Sequence, residues 1–320
     1  MIDVFLGPGD LARIRFGRSP LQELVGSLHL LGDPSRQATF RPWLAGVRGR
    51  IPALRLLPSL VGGPHWAADF LTPPPRHLAV EFAEELERVR ATDPGLVRAS
   101  IEEMHERVPE PLAGLYDDPE RELGAVADEL GAYWRAAVEP VWPRLRAVAD
   151  ADLGHRAQAL TTGGLAKLLA DLDPRIEHTP DGMRLDTPSW HGEHVLNGSG
   201  LVLVPCVFAW PRLVMLFDEP RQSMFSYAPR GIANVWNDPQ DMRGEPLGEL
   251  IGRSRASLLS HLELPLSTTQ LAAYLGLTPA AVSQHLSVLR RTSLVTSRRD
   301  GREVLYQRTS LATELLNQAG

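Results

Sequence analysis

Two short helical segments joined by a tight glycine-containing turn lie near the C-terminus, in LSTTQLAAYLGLTPAAVSQHLSVLRR. The first has Ser267 as its N-cap with Gln270 three residues later, and Gly276 ends it as a C′ glycine does. A single residue separates that glycine from Thr278, a second N-cap, which Pro279 follows at the first helical position. Two short helices joined by so tight a turn are typical of a helix-turn-helix.

The second helix of this pair has an apolar face and a polar face. Val282, Leu286 and Leu289 fall within about 60° of one another at 100° per residue, so we expect them to be buried. The opposite side carries small residues and residues that donate or accept hydrogen bonds, as a helix entering the DNA major groove requires. The candidate DNA-binding residues of this helix are Thr278, Ala280, Ser283, Gln284, His285, Ser287, Arg290 and Arg291.

These candidates differ in the contact that each can make. Gln284 is suited to a bidentate contact with adenine, and Ser283 to either a base or a phosphate. Thr278 and the exposed N–H groups at the start of the helix suit a phosphate. The alternative interpretation is a generic amphipathic helix in a dimerisation module.

The segment LVTSRRDGREVLYQRT follows, with two β-prone runs on either side of Asp300-Gly301. Asp-Gly between such runs is a strong hairpin signal, and Arg298, Arg299 and Arg302 cluster at the predicted tip. A basic hairpin after a helix-turn-helix predicts a wing, whose arginines contact phosphates or a narrow minor groove. The alternative is a hairpin whose tip is exposed to water and has no binding role.

The stretch from Leu266 to Thr309 resembles the winged helix of the ArsR/SmtB-type bacterial transcriptional regulators. The resemblance implies a winged helix-turn-helix DNA-binding domain, and His285 matches the family's histidine beside the recognition face. That match implies a hydrogen bond to a phosphate, although the position of His285 also allows a packing role. The metal-sensing members use Cys-x-Cys beside the recognition helix or Asp/His pairs on the last helix. This sequence has neither, so we expect no metal at those positions.

The larger N-terminal part predicts an α+β fold over residues 1–240, mainly helical over 1–172, with a small antiparallel sheet in the strand-rich part 175–235. SPLQELVGSLHLL begins with Ser19 as the N-cap and Gln22 three residues later, a capping-box arrangement. TPDGMRLD contains the hairpin signal Asp181-Gly182. GLVLVPCVFAW, RLVMLF and SMFSY are typical of strands.

The polar, turn-rich segment NDPQDMRGEPLGE predicts the domain boundary, so the winged helix-turn-helix domain is expected over residues 241–320. The N-terminal part is similar to an uncharacterised domain fused to such winged helices in a subgroup of regulators. That similarity implies an architecture and names no ligand. Aromatic residues in its strand-rich region favour a core, and a few of them could line a pocket for a small-molecule effector.

The charge is unevenly distributed along the chain. The part from Leu247 to Gly320 holds eight arginines and five acidic residues, net +3, whereas the rest of the chain carries −9. A basic module on an acidic body indicates that only the module meets a polyanion. With one cysteine, Cys206, no disulfide framework is possible, and the first residues lack a basic leader, so we expect a cytoplasmic protein without a membrane span.

No arrangement of catalytic residues stands out, so we predict that the chain is not an enzyme and needs no cofactor. HGEH, with His191 and His194, suggests a metal site, but residues three apart on a strand point to opposite faces. We therefore predict no metal there. The leading hypothesis is a homodimeric transcriptional repressor bound to double-stranded DNA at an inverted-repeat operator. The alternatives are an enzymatic or protein-interaction N-terminal domain, with the winged helix as a positioning or dimerisation element.

Overall fold

A computed structural model describes the chain apart from residues 34–39, 63–66, 171, 174, 187–190, 218–221, 233–234, 237–245, 263–264, 276, 301–302 and 320. The chain divides into two compact units. The N-terminal unit comprises Met1–Gln37 and Leu44–Ala228, and the C-terminal unit comprises Ala38–Trp43 and Pro229–Gly320. The boundary predicted at residue 240 lies outside the described residues.

The helices occupy most of the first half of the N-terminal unit, as the sequence predicted. They are α1 Pro8–Leu11, α2 Pro20–Leu31, α3 Arg41–Val47 (which continues from the C-terminal unit), α4 Leu57–Leu60, α5 Phe82–Arg90, α6 Pro94–Met104, α7 Ala113–Asp117, α8 Pro119–Tyr133 and α9 Trp142–Ala170. The last is interrupted at Gly164, whose φ of +67° is not helical. None of the described helices is both long and apolar enough to cross a membrane.

Two four-stranded sheets complete the unit. Their strands are β1 Ile2–Phe5, β2 Arg15–Phe16, β3 Ile176–Thr179, β4 Gly182–Leu185, β5 Gly192–Val195, β6 Leu201–Pro205, β7 Val214–Leu216 and β8 Ser223–Tyr227. The first sheet has the order β3-β4-β1-β5 and the second has the order β2-β6-β8-β7. The α+β class is therefore confirmed.

The prediction that the sheet is antiparallel was wrong, because both sheets are mixed. β1 runs parallel to β5, and β6 runs parallel to both β2 and β8. The first two strands come from the first sixteen residues, which the sequence assigned to the helical part. Parallel partners need a long crossover, and the helical region between β2 and β6 supplies one.

The predicted hairpin at Asp181-Gly182 is confirmed as the β3–β4 pair, in which Thr179 lies opposite Gly182. The glycine has a second role that the turn signal did not indicate. A Cβ at Gly182 would overlap the backbone carbonyl of Val4 on β1, so the glycine permits the close approach of these two strands.

The main core of this unit lies between the two sheets. One face of the second sheet, with Leu201, Leu203 and Phe225, packs in the same buried cluster as Ile2 and Val4 of β1. The opposite face forms a separate buried cluster of Val202, Val204, Leu216 and Met224. The second sheet is thus buried on both faces, which explains why its central strand β6, LVLVP, is a continuous apolar run.

The C-terminal unit has the element order of a winged helix. Its elements are α10 Pro246–Ile251, α11 Arg253–His261, β9 Leu266–Ser267, α12 Thr268–Leu275, α13 Pro279–Arg291, β10 Val295–Asp300, β11 Glu303–Arg308 and α14 Ser310–Ala319. The three strands form an antiparallel sheet in the order β10-β11-β9.

Candidate nucleic-acid interface

Helix α12 begins with a complete capping box. The backbone N–H of Gln270 donates to Ser267 Oγ at 3.3 Å, and the backbone N–H of Ser267 donates to Gln270 Oε1 at 2.8 Å. At its end, the N–H of Leu277 donates to the carbonyl of Ala272 at 2.9 Å, the long bond of a Schellman motif. Gly276, the predicted terminator, lies outside the described residues. The predicted start of α12 is confirmed.

The predicted N-cap of α13 is also confirmed. Thr278 Oγ1 accepts a hydrogen bond from the N–H of Ala281 at 3.2 Å, and Pro279 occupies the first helical position. The Thr278 hydroxyl is exposed and keeps its own hydrogen for a further acceptor. The start of α13 therefore offers a hydroxyl donor beside the positive end of the helix dipole, an arrangement that suits a phosphate oxygen.

The apolar face of α13 is buried as predicted. Val282 and Leu286 are completely buried and Leu289 is 1% exposed. Because α13 contacts α11 and α12 through this face, its rotation about its own axis is fixed. The opposite face must then point to solvent.

The predicted DNA-binding residues lie on that solvent-facing side. Most of them are exposed, namely Thr278, Ala280, Ser283, Gln284, Ser287, Arg290 and Arg291. Small side chains near the start of the helix leave room for a close approach, and the arginines lie in its last turn. This face can donate and accept hydrogen bonds without a bulky apolar residue in the way.

His285 lies between the two faces and is half-buried. Its Nδ1 is enclosed and has no hydrogen-bond partner among the described residues. The other ring nitrogen, Nε2, is therefore the one that could reach a phosphate. Half-burial of the ring leaves the contact and packing roles compatible.

The predicted hairpin is present as the β10–β11 ribbon. Asp300 lies opposite Glu303, so residues 301 and 302, which the structure does not describe, connect the strands. Arg302 thus falls outside the described residues. Arg298 and Arg299 are both exposed and are consecutive on β10, so their side chains leave opposite faces of the ribbon.

The base of the ribbon is held by Arg308, whose structural role no sequence pattern indicated. Its Nη1 donates to the carbonyl of Ser260 at 3.2 Å and its Nε donates to Thr313 Oγ1 at 3.1 Å. Burial lowers the pKa of the neighbouring His261 to about 4, and the charge of Arg308 adds to the effect. Arg308 therefore fixes the wing to the helices α11 and α14.

A second residue that sequence reasoning missed is Arg230. It precedes the predicted domain but belongs to the C-terminal unit. Its Nη2 donates to the carbonyl of Leu277, in the turn between α12 and α13, at 3.2 Å. No local sequence signal connects these positions, because they are 47 residues apart.

Of the two HGEH histidines, His194 contacts an aromatic ring and a hydroxyl. His194 lies on β5 against Phe217, with ring centroids 4.2 Å apart, and its Nε2 is 3.5 Å from Ser223 Oγ. In the part of the chain that the structure describes, no three His, Cys, Asp or Glu residues are grouped as metal ligands.

Two family models match separate parts of the chain. Residues 246–313 match the Crp-like helix-turn-helix domain. The C-terminal unit contains a winged helix-turn-helix. Residues 92–231 match DUF5937, a family of unknown function. A winged helix-turn-helix of this kind indicates a DNA-binding transcriptional regulator.

No curated protein matches the chain significantly. Among solved structures, a cysteine-to-serine mutant of Lactococcus lactis ZitR is 28% identical over a match that covers 21% of this chain and 48% of that chain, with a TM-score of 0.20. The match thus spans about half of that protein.

Proposed function

We propose that the chain is a homodimeric, sequence-specific transcriptional repressor of the ArsR/SmtB type, with an N-terminal domain that senses a small molecule. The observation that carries this proposal is the exposed polar face of α13, held outward by the burial of Val282, Leu286 and Leu289. The family resemblance of residues 266–309 supports the ArsR/SmtB assignment, while the sequence match is to a Crp-like domain.

In this proposal α13 is the recognition helix. Gln284 contacts an adenine in the major groove and Ser283 contacts a base or a phosphate. Thr278 and His285 bind phosphates on one side of the groove, and the other exposed residues of the face, Ala280, Ser287, Arg290 and Arg291, line the rest of the interface. Arg298, Arg299 and Arg302 contact the backbone or the minor groove beside it.

A homodimer presents two such helices, related by a two-fold axis. Because each helix reads one half-site, the operator is an inverted repeat with half-sites about 34–36 Å apart, one helical turn of DNA. We assign residues 241–320 to DNA binding and residues 1–240 to effector binding or assembly, without a catalytic role.

The test is binding of the full chain to the DNA upstream of its own gene, compared with random DNA of equal length, by fluorescence anisotropy at ~150 mM salt. We expect a preference of at least about 10³-fold for the upstream DNA. Equal affinity for both DNAs would refute sequence-specific regulation. Sedimentation equilibrium in the same buffer tests the dimer, and a monomer on its operator would refute the two-fold arrangement.

A further inference from the structure

The turn between α12 and α13 controls where the second of these helices lies. The buried residues Val282, Leu286 and Leu289 fix the rotation of α13 about its own axis. Apolar packing is not directional, so it fixes the position of the helix along that axis less sharply than hydrogen bonds do. The hydrogen bonds of the turn are therefore the contacts that can set this position, and they meet at Leu277.

Leu277 is held from two sides. Its N–H donates to the carbonyl of Ala272 in α12 at 2.9 Å, which attaches it to the helix before the turn. Its carbonyl accepts a hydrogen bond from Nη2 of Arg230 at 3.2 Å. The next residue, Thr278, is the N-cap of α13 and accepts from the N–H of Ala281 at 3.2 Å. The bond from Arg230 thus acts on the peptide group through which the chain enters α13.

Arg230 supplies something that α12 lacks. The sequence of α12, TTQLAAYL, contains no basic residue. A cation near the C-terminal end of a helix interacts favourably with the helix dipole and with the last carbonyl groups. Arg230 brings both a positive charge and an N–H donor to this end of α12, from a part of the chain that precedes it by more than thirty residues.

The segment that carries Arg230 is anchored. It belongs to the C-terminal unit. Ile232 is completely buried and Val235 is 3% exposed, and the N–H of Val235 donates to the carbonyl of Ile232 at 3.0 Å. The ring of Trp236 lies edge-on to that of Phe40, with centroids 6.2 Å apart, and Phe40 belongs to the same unit. Arg230 therefore reaches the turn from a fixed segment.

Arg230 also lies outside the domain that local sequence signals predict. It precedes the expected residues 241–320 and the residues 246–313 that match the Crp-like domain. A chain limited to the matched residues would keep α12 and α13 and would lose this hydrogen bond.

We infer that Arg230 is a positioning residue for the recognition helix: by holding the Leu277 carbonyl, it fixes where α13 presents its exposed face to DNA. It acts through the turn and contacts neither a base nor a phosphate. The inference rests on the proposed function for its effect on DNA binding, whereas the fixed turn is a property of the free protein.

A displaced α13 would lose base contacts before it lost phosphate contacts. The bidentate contact that Gln284 makes with adenine in the proposed complex needs both of its hydrogen bonds in place. Arg290 and Arg291 are exposed, and long arginine side chains can follow a phosphate through a small movement of the helix. Loss of the Arg230 bond should therefore lower sequence preference and leave general DNA affinity in place.

The first test is hydrogen exchange of the free, full-length chain, measured by mass spectrometry. Arg230→Met removes the donors and keeps an unbranched side chain. We expect the amides of residues 277–282 to exchange at least about tenfold faster in this variant, because a hydrogen bond from a charged donor is lost. The amides of α11 should be unchanged. Unchanged exchange at the turn would overturn the inference, whatever the DNA measurements show.

The second test is fluorescence anisotropy with the upstream DNA and with random DNA. Arg230→Met should lower the preference for the upstream DNA about tenfold, as the loss of one bidentate base contact does, without changing the salt slope. Arg230→Lys should retain most of the preference, because one bond to a carbonyl needs only one donor. The control Arg253→Met removes an exposed arginine at the start of α11 and should change neither quantity.

The other outcomes are distinguishable. A salt slope lowered by about 0.9 for each winged helix, with equal losses on both DNAs, would reveal a direct phosphate contact and overturn the positioning role. A lowered melting temperature with the preference retained would show that the bond only stabilises the fold, and would overturn it as well. If the parent chain shows no DNA preference, the regulator is refuted, and the exchange result alone decides whether Arg230 fixes the turn.

Discussion

The two wing arginines, Arg298 and Arg299, are predicted to contribute equally to DNA binding, for a geometric reason. They are consecutive on β10, so one leaves each face of the ribbon. A ribbon inserted edge-on between the two walls of a minor groove presents one arginine to each wall. A ribbon lying flat on the DNA would use only one of them.

The size of the effect follows from counterion release. Each phosphate contact contributes about 0.9 to the slope of log affinity against log salt, so raising the salt from about 50 to about 200 mM weakens binding about 3.5-fold per contact. Arg298→Ala and Arg299→Ala should each lower the slope by about 0.9 for each winged helix, and the double variant by about twice as much.

Fluorescence anisotropy across a salt series measures these slopes. Arg253→Ala, at the start of α11 and also exposed, is the matched control and should leave the slope unchanged. If one wing substitution carries the whole effect and the other carries none, the edge-on geometry is wrong. If the control matches the wing variants, the wing has no special role.

Three further predictions concern α13 and the core beneath it. Gln284→Ala should relax preference at one base pair by about 1–3 kcal/mol, measured on a panel of single-base operator variants, and a uniform loss across the panel would exclude direct readout. Leu286→Ala should lower the free energy of unfolding by about 3 kcal/mol because the side chain is fully buried. Ser283→Ala should change the free energy of unfolding by less than about 0.5 kcal/mol. If a denaturant titration gave equal effects for the two variants, the assigned faces would be wrong. The pKa of His261 falls from 6.5 to about 4 on folding, through burial and the charge of Arg308, so its contribution to stability is complete above pH 6.5 and is lost as the pH falls through 4. His261→Gln should make the melting temperature less dependent on pH in that window, and parallel pH curves for the variant and the parent would show that this histidine does not titrate on folding.

The winged helix could be predicted from sequence because its signals are local. The cap residues Ser267 and Thr278, the apolar spacing of α13 and the Asp300-Gly301 hairpin each depend on neighbours a few residues away. The structure confirms the α12 and α13 caps, the buried face and the hairpin. Which exposed residues touch DNA depends on a partner molecule, so those assignments stay predictions.

The N-terminal unit was harder to predict because its defining contacts are distant in sequence. β1 is only four residues long, so its sequence pattern is too short to be distinguished from a loop. Its partners lie near residues 182–195, and no period or turn signal connects them. The side chain of Gln22 could not be placed for a different reason. The capping-box pattern predicts that it returns to the N-cap, but only the backbone N–H of Gln22 bonds to Ser19 Oγ, and its side-chain amide has no partner among the described residues.

The position of β1 between β4 and β5 has a consequence for the synthesis of this protein and for the solubility of its fragments. Ile2 pairs with Leu185 and with Gly192, so β1 stays unpaired during synthesis until Gly182–Leu185 and Gly192–Val195 have been made. A fragment limited to the family-matched residues 92–231 would lack β1 and β2. It would leave β5 without a neighbouring strand and one side of β6 open as an unpaired edge. Such a fragment should aggregate when expressed alone, and the same fragment should become soluble when residues 1–91 are supplied on a separate chain.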